Sequence, residues 1–75
     1  MDINMDMHAE LKKLGQRIKQ LRLEKGLSQS DLAEAIDKSQ EYIAGVEAGT
    51  CNLWVTEIGE IARRLETPMS GLFPK

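Results

Sequence analysis

Between Ser28 and Gly49 the chain carries two short helical segments set almost end to end. Ser28 offers an N-cap, with Asp31 three positions on as a carboxylate version of the capping box, and Leu32, Ala33 and Ile36 supply a brief inward face. This segment ends near Asp37. Ser39 caps the next, in which Ile43, Val46 and Glu47 share one side while Glu41, Ala44, Gly45 and Ala48 share the other, before Gly49 stops it. The three-residue separation of these two helices is the tightest constraint in the sequence.

The flanking segments are helical as well. Leu11, Leu14, Ile18 and Leu21 form an apolar stripe on a helix running to about Lys25 and stopping at Gly26. After a loop from Thr50 to Trp54, Val55, Ile58, Ile61, Ala62 and Leu65 mark a fourth helix ending near Glu66. Thr67 and Pro68 then read as an Ncap and N1 pair, with Met69, Leu72 and Phe73 closing the bundle in a last turn or two. No segment alternates with period two, so the expectation is an all-α fold without strands. Residues 1–8 read as a flexible N-terminal tail and residues 9–75 as one domain.

Composition narrows the functions available. A chain of 75 residues makes a thin core, which association with a second copy would reinforce. No apolar run approaches the roughly 20 residues needed to span a bilayer, and Asp2 and Asp6 with no apolar stretch do not make a secretory signal, so a reducing cytoplasmic setting is expected. One Cys and one His supply neither a disulfide nor an ordinary zinc site, and no nucleophile, base and acid group together, so no metal, cofactor or catalytic role is expected. The formal charge of −2 hides an asymmetry: residues 11–26 hold Lys12, Lys13, Arg17, Lys19, Arg22 and Lys25 against Glu24 alone. Binding to a polyanion is decided by one face rather than by the sum.

Counted from Gln29, the two central helices fit a helix-turn-helix template: a small residue fifth, a left-handed residue ninth, and branched apolar residues fifteenth and eighteenth. Ala33 lets the helices approach, and Ile43 with Val46 pins the second against the first, leaving its outer face free for a groove about 12 Å wide. Asp37 takes the ninth place, usually Gly, and is among the few residues that tolerate a positive φ.

The stretch Leu14-Gly15-Gln16-Arg17-Ile18-Lys19-Gln20-Leu21-Arg22, then Gly26-Leu27-Ser28-Gln29, Leu32-Ala33, Tyr42-Ile43, Val46-Glu47-Ala48-Gly49 and Ile61-Ala62-Arg63-Arg64-Leu65, resembles the phage-repressor-like (Cro/C1, XRE) helix-turn-helix family over about residues 11–73. The resemblance implies a five-helix, lambda-repressor-like DNA-binding domain working as a dimer. Asn52-Leu53-Trp54-Val55 replaces a frequent Asn-Pro-Ser, and among family members the unlinked chain most resembles the stand-alone controller proteins of restriction-modification systems. The resemblance also implies a partly buried ion pair between Arg22 and Glu47, the alternative being a solvated acid near a helix end.

On the second of the central helices, Gln40 offers an acceptor and a donor to an adenine edge, Glu41 an acceptor to a cytosine amino group, and Ala44 a methyl contact to thymine. Against this, Gln40 reads as a solvated first-turn residue and Glu41 as a partner of the helix dipole. With so few direct readers, DNA shape would carry part of the specificity. Gln29, Arg17, Lys38, Ser39, Tyr42 and Asn52 are the candidate phosphate contacts. Gln29 matches the family's usual phosphate-binding Gln, whereas Lys38 stands where the family is usually apolar. Lys12, Lys13 and Lys19 read as solvated charges. About five neutralised phosphates per monomer would give a dimer a salt slope near −9.

Leu53, Trp54 and Val55, with Met69, form an apolar cluster where loop residues are ordinarily polar. Core burial is one reading of Trp54 and a dimer interface the other, and the interface is the expectation. The chain is thus expected to be a cytoplasmic homodimeric transcription regulator that sets recognition helices, about residues 40–48, into successive major grooves of a pseudo-palindromic operator. No membrane and no small-molecule effector enter this reading. The competing reading is an antitoxin-type or other protein-interaction module with weak or autoregulatory DNA binding.

Overall fold

The computed structural model describes residues 7–73, which form α1 (Met7–Glu24), α2 (Gln29–Ala35), α3 (Gln40–Ala48), α4 (Val55–Arg64) and a 3-10 turn at Met69–Leu72. The expected tail at 1–8 lies largely outside the described residues, but Met7 and His8 already belong to α1. Among the described residues there is no strand, and no helix is long and apolar enough to cross a membrane.

Local chemistry places the helix boundaries. The Ser28 hydroxyl accepts from the Asp31 amide and the Asp31 carboxylate accepts from the Ser28 amide, both at 2.9 Å, so the capping box is complete. Ser39 caps α3 by accepting from the Tyr42 amide at 3.0 Å, and Gly49 closes it at φ +80°. Asp37 turns the chain between α2 and α3 at φ +60°, the left-handed conformation its template position calls for. The last element departs from expectation. Pro68 itself occupies the cap position, and Met69–Leu72 make a single 3-10 turn rather than a helix begun by Thr67 and Pro68.

Leu14, Ile18, Leu32, Ile43, Val46, Ile61, Leu65 and Leu72 pack in one core drawn from every element. Removing this apolar surface from water is the main force holding the short helices, which would be marginal alone. At Gly15 two helices approach closely. A Cβ there would lie 2.7 Å from the Glu47 carbonyl oxygen and closer still to that of Val46, so only a missing side chain lets α1 lie against α3.

Candidate nucleic-acid interface

The recognition face is anchored from inside. Arg22 on α1 donates from Nε to Glu47 Oε2 at 2.6 Å and from Nη2 to Oε1 at 2.9 Å, while its Nη1 holds the Leu27 carbonyl at 2.8 Å. Both side chains are buried, and the Glu47 hydrogen bond raises the guanidinium pKa above its usual value against the opposing effect of desolvation. The pair therefore fixes α3 to α1 and to the turn ahead of α2.

From this pair the hydrogen bonds continue outward. Gln29 Nε2 donates to Glu47 Oε1 at 3.0 Å, and Gln40 Nε2 donates to Gln29 Oε1 at 2.6 Å. The first residues of α2 and α3 are thereby locked together, with Gln40 exposed. Glu41 is exposed one position on and makes no ion pair among the described residues; Ala44 is half-buried a turn later. Gly45 is not on the open face, because its α-carbon lies under the loop, where a Cβ would meet Thr50 Oγ1 at 3.5 Å and Cys51 Cβ at 3.6 Å.

The candidate phosphate contacts divide. Gln29 is half-buried beside Gln40, and Ser39 and Asn52 are exposed, Ser39 with its hydroxyl engaged as the α3 cap. Arg17 does not join them: its Nε donates to the Gly71 carbonyl at 2.9 Å and its Nη1 to Gln20 at 3.0 Å, which ties α1 to the 3-10 turn. Two residues from Gly15 on a helix is about 200° of rotation, so Arg17 faces away from α3. Lys38, though exposed, and the half-buried Tyr42 both turn toward α4. Lys38 Nζ lies 5.3 Å above the Tyr42 ring and 3.4 Å from Glu57 Oε2. The Tyr42 hydroxyl is buried and makes no well-formed hydrogen bond, and burial together with the neighbouring Glu57 carboxylate pushes the phenol well above its ordinary range.

Glu57, which the sequence reading passed over, organises this corner. It accepts from the Trp54 amide at 3.2 Å, half of a capping box whose other half an indole cannot provide. That backbone bond, followed by Tyr42 and Lys38, holds its carboxyl below the usual range. The cap-to-N3 spacing of Trp54 and Glu57 was the available signal. The Trp54 indole itself is 75% exposed, next to Val55 at 70%, with Met69 and Phe73 also exposed, whereas Leu53 is half-buried and packs against the core. The reading of Trp54 as a core residue is thereby overturned.

With this geometry in place, the helix-turn-helix family pattern matches residues 18–72, most of the chain. The chain belongs to the XRE-type helix-turn-helix family. Its domain superposes on the restriction-modification controller protein C.AhdI from Aeromonas hydrophila with a TM-score of 0.87 and 39% identity, over 92% of this chain and 100% of that one. Two more distant structures share the fold. The clp gene regulator ClgR from Corynebacterium glutamicum gives a TM-score of 0.80 at 22% identity, over 83% of this chain and 66% of that chain. The hypothetical transcription factor NHTF from Neisseria gives 0.83 at 23%, over 99% and 85% respectively. A comparison with curated proteins returns no match.

Proposed function

We infer that this helix-turn-helix domain is a sequence-specific DNA-binding transcription regulator that acts as a homodimer, and that it serves as a controller protein of a restriction-modification system. The observation that carries this reading is the braced, exposed start of α3, where a buried ion pair and two glutamines hold Gln40 beside Glu41. A helix presented in this way suits the major groove, with Gln40, Glu41 and Ala44 toward base edges. Gln29, Ser39 and Asn52 then serve the phosphates, and helix amides at the start of α2 add to them.

The controller assignment is supported by the 39% identity to C.AhdI across the whole length of that protein. The dimer is supported by the exposed Trp54, Val55, Met69 and Phe73, large apolar side chains that a monomer would leave in water. A twofold pair of such domains would place recognition helices about 34 Å apart and read a pseudo-palindrome.

The test is selection of binding sites from random duplexes at low salt, followed by titration of the enriched sequence. Recovery of two inverted half-sites about one helical turn apart is expected. Absence of enrichment would defeat the DNA-binding reading and favour a protein-interaction module, for which the net charge of −2 and exposed Glu41 would then be the relevant features.

A further inference from the structure

Lys38 stands one residue ahead of Ser39, the cap of α3, and its backbone is fixed. Its amide donates to the Ala33 carbonyl at 2.8 Å, and Asp37 before it is set in the turn at φ +60°. Only the side chain can choose a direction, since a flexible four-carbon stem lets the ammonium swing about a fixed root. It swings toward α4. Nζ lies 5.3 Å over the Tyr42 ring and 3.4 Å from Glu57 Oε2. Of these two partners only Glu57 carries a charge, and the ring attracts the ammonium without neutralising it.

Glu57 is itself held. Its other oxygen, Oε1, accepts from the Trp54 amide at 3.2 Å at the third position of α4, so the carboxylate cannot follow Lys38 outward. The two oxygens thus have separate duties, one closing the start of α4 and one holding a lysine that belongs to the turn before α3. With α3 in a major groove, the phosphate backbone passes beside that turn, where a cation on a flexible stem would meet it.

We propose that Glu57 is a built-in restraint on DNA affinity: by holding the Lys38 ammonium against α4, it withholds a phosphate contact at the entrance to the recognition helix. Glu57 is a positioning residue in this scheme, acting on DNA only through Lys38. The scheme rests on the DNA-binding reading above and adds to it a contact that limits how tightly any duplex is held. The competition is close, because a partly exposed ion pair and a phosphate contact are both weakened by water and salt, so losing one charge moves the side chain from one to the other.

Glu57→Gln separates the two duties. Glutamine at this position still accepts from the Trp54 amide and keeps the helix start, but it turns a neutral N–H toward Lys38 in place of a carboxylate oxygen. The experiment measures affinity against salt concentration for the wild type, Glu57→Gln, Lys38→Met and the double variant, on the duplex that the wild type selects and on an unrelated one. Each lysine that gains a phosphate steepens the plot of log K against log salt by about 0.9, so a dimer of Glu57→Gln should be steeper by about 1.8. Lowering salt from about 200 mM to about 50 mM should then raise its affinity about twelvefold more than that of the wild type. Lys38→Met and the double variant should both keep the wild-type slope, having no lysine to release. The ratio between the two duplexes should be the same for the wild type and Glu57→Gln, because a phosphate contact carries no sequence preference.

A wild-type slope in Glu57→Gln would overturn the proposal. So would a shallower slope in Lys38→Met, which would mean that Lys38 already meets a phosphate; this arm does not depend on the Glu57 variant. Steepening that persists in the double variant would assign the effect to the lost charge at 57 alone, and a changed ratio between duplexes would assign it to a displaced α3; either overturns the withheld contact. Failure of the wild type to select any duplex would instead remove the DNA-binding reading, and the proposal with it.

Discussion

Gly15 on α1 lies directly against the backbone of Glu47 on α3, with room for a hydrogen and not for a methyl group. Helix propensity alone favours Ala over Gly in a helix interior by about 1 kcal/mol. Close packing against two backbone carbonyls, which have no rotamer to change, opposes this. Gly15→Ala should therefore destabilise the fold, by about 1–3 kcal/mol, with the sign opposite to propensity. Urea unfolding decides it: a variant more stable than the parent would show that α1 shifts freely.

The Arg22 and Glu47 pair should behave as a buried ion pair and not as a surface one. Glu47→Ala leaves a guanidinium buried without its partner and should cost about 3–5 kcal/mol. Replacing both residues with apolar side chains of similar volume should recover most of that loss in chemical denaturation, because neither charge then remains to be desolvated. Equal losses in the single and double variants would rule out an uncompensated charge as the cause.

Tyr42 is the single tyrosine, so its ionisation can be followed directly by absorbance. Burial first and Glu57 second raise the phenol above its ordinary value of 10.0. A raised pKa means that the fold favours the neutral form. That stability is intact below pH 10 and is lost as pH climbs through the folded value. Native protein should thus show little tyrosinate near pH 10, and denatured protein about half ionisation. Glu57→Gln should lower the native midpoint only part-way, since burial remains. A native midpoint equal to the denatured one would contradict the packing of Tyr42 against α4.

Trp54 is the sole tryptophan and its ring is 75% exposed. Its fluorescence should move to shorter wavelength as protein concentration rises through the dimer range. Trp54→Ala should weaken self-association by about 2 kcal/mol, near thirtyfold, and leave the stability of the monomer almost unaltered. Sedimentation of parent and variant at several concentrations is the test, and an unaltered monomer–dimer equilibrium would remove Trp54 from the interface.

The four α-helices, the caps at Ser28 and Ser39 and the helix-turn-helix spacing were written in local sequence. Apolar spacing gave the stripe through Leu14 and Ile18, Ser28 and Asp31 made their own capping box, and Asp37 adopted the positive φ that its place in the motif requires. Such features depend on residues within a turn of one another, so a single chain read linearly suffices. What only the tertiary structure decided is which side chains were already engaged. Arg17, Lys38 and Tyr42 belong to types that bind phosphate, but the Gly71 carbonyl, Glu57 and the core claim them. Gln29 and Gln40, eleven positions apart, meet only because α3 is pinned against α1 through Gly15 and the buried pair. Hydrogen bonding and ion pairing saturate within a few ångströms, so a side chain's availability is set by its neighbours in space, which the order of residues does not reveal.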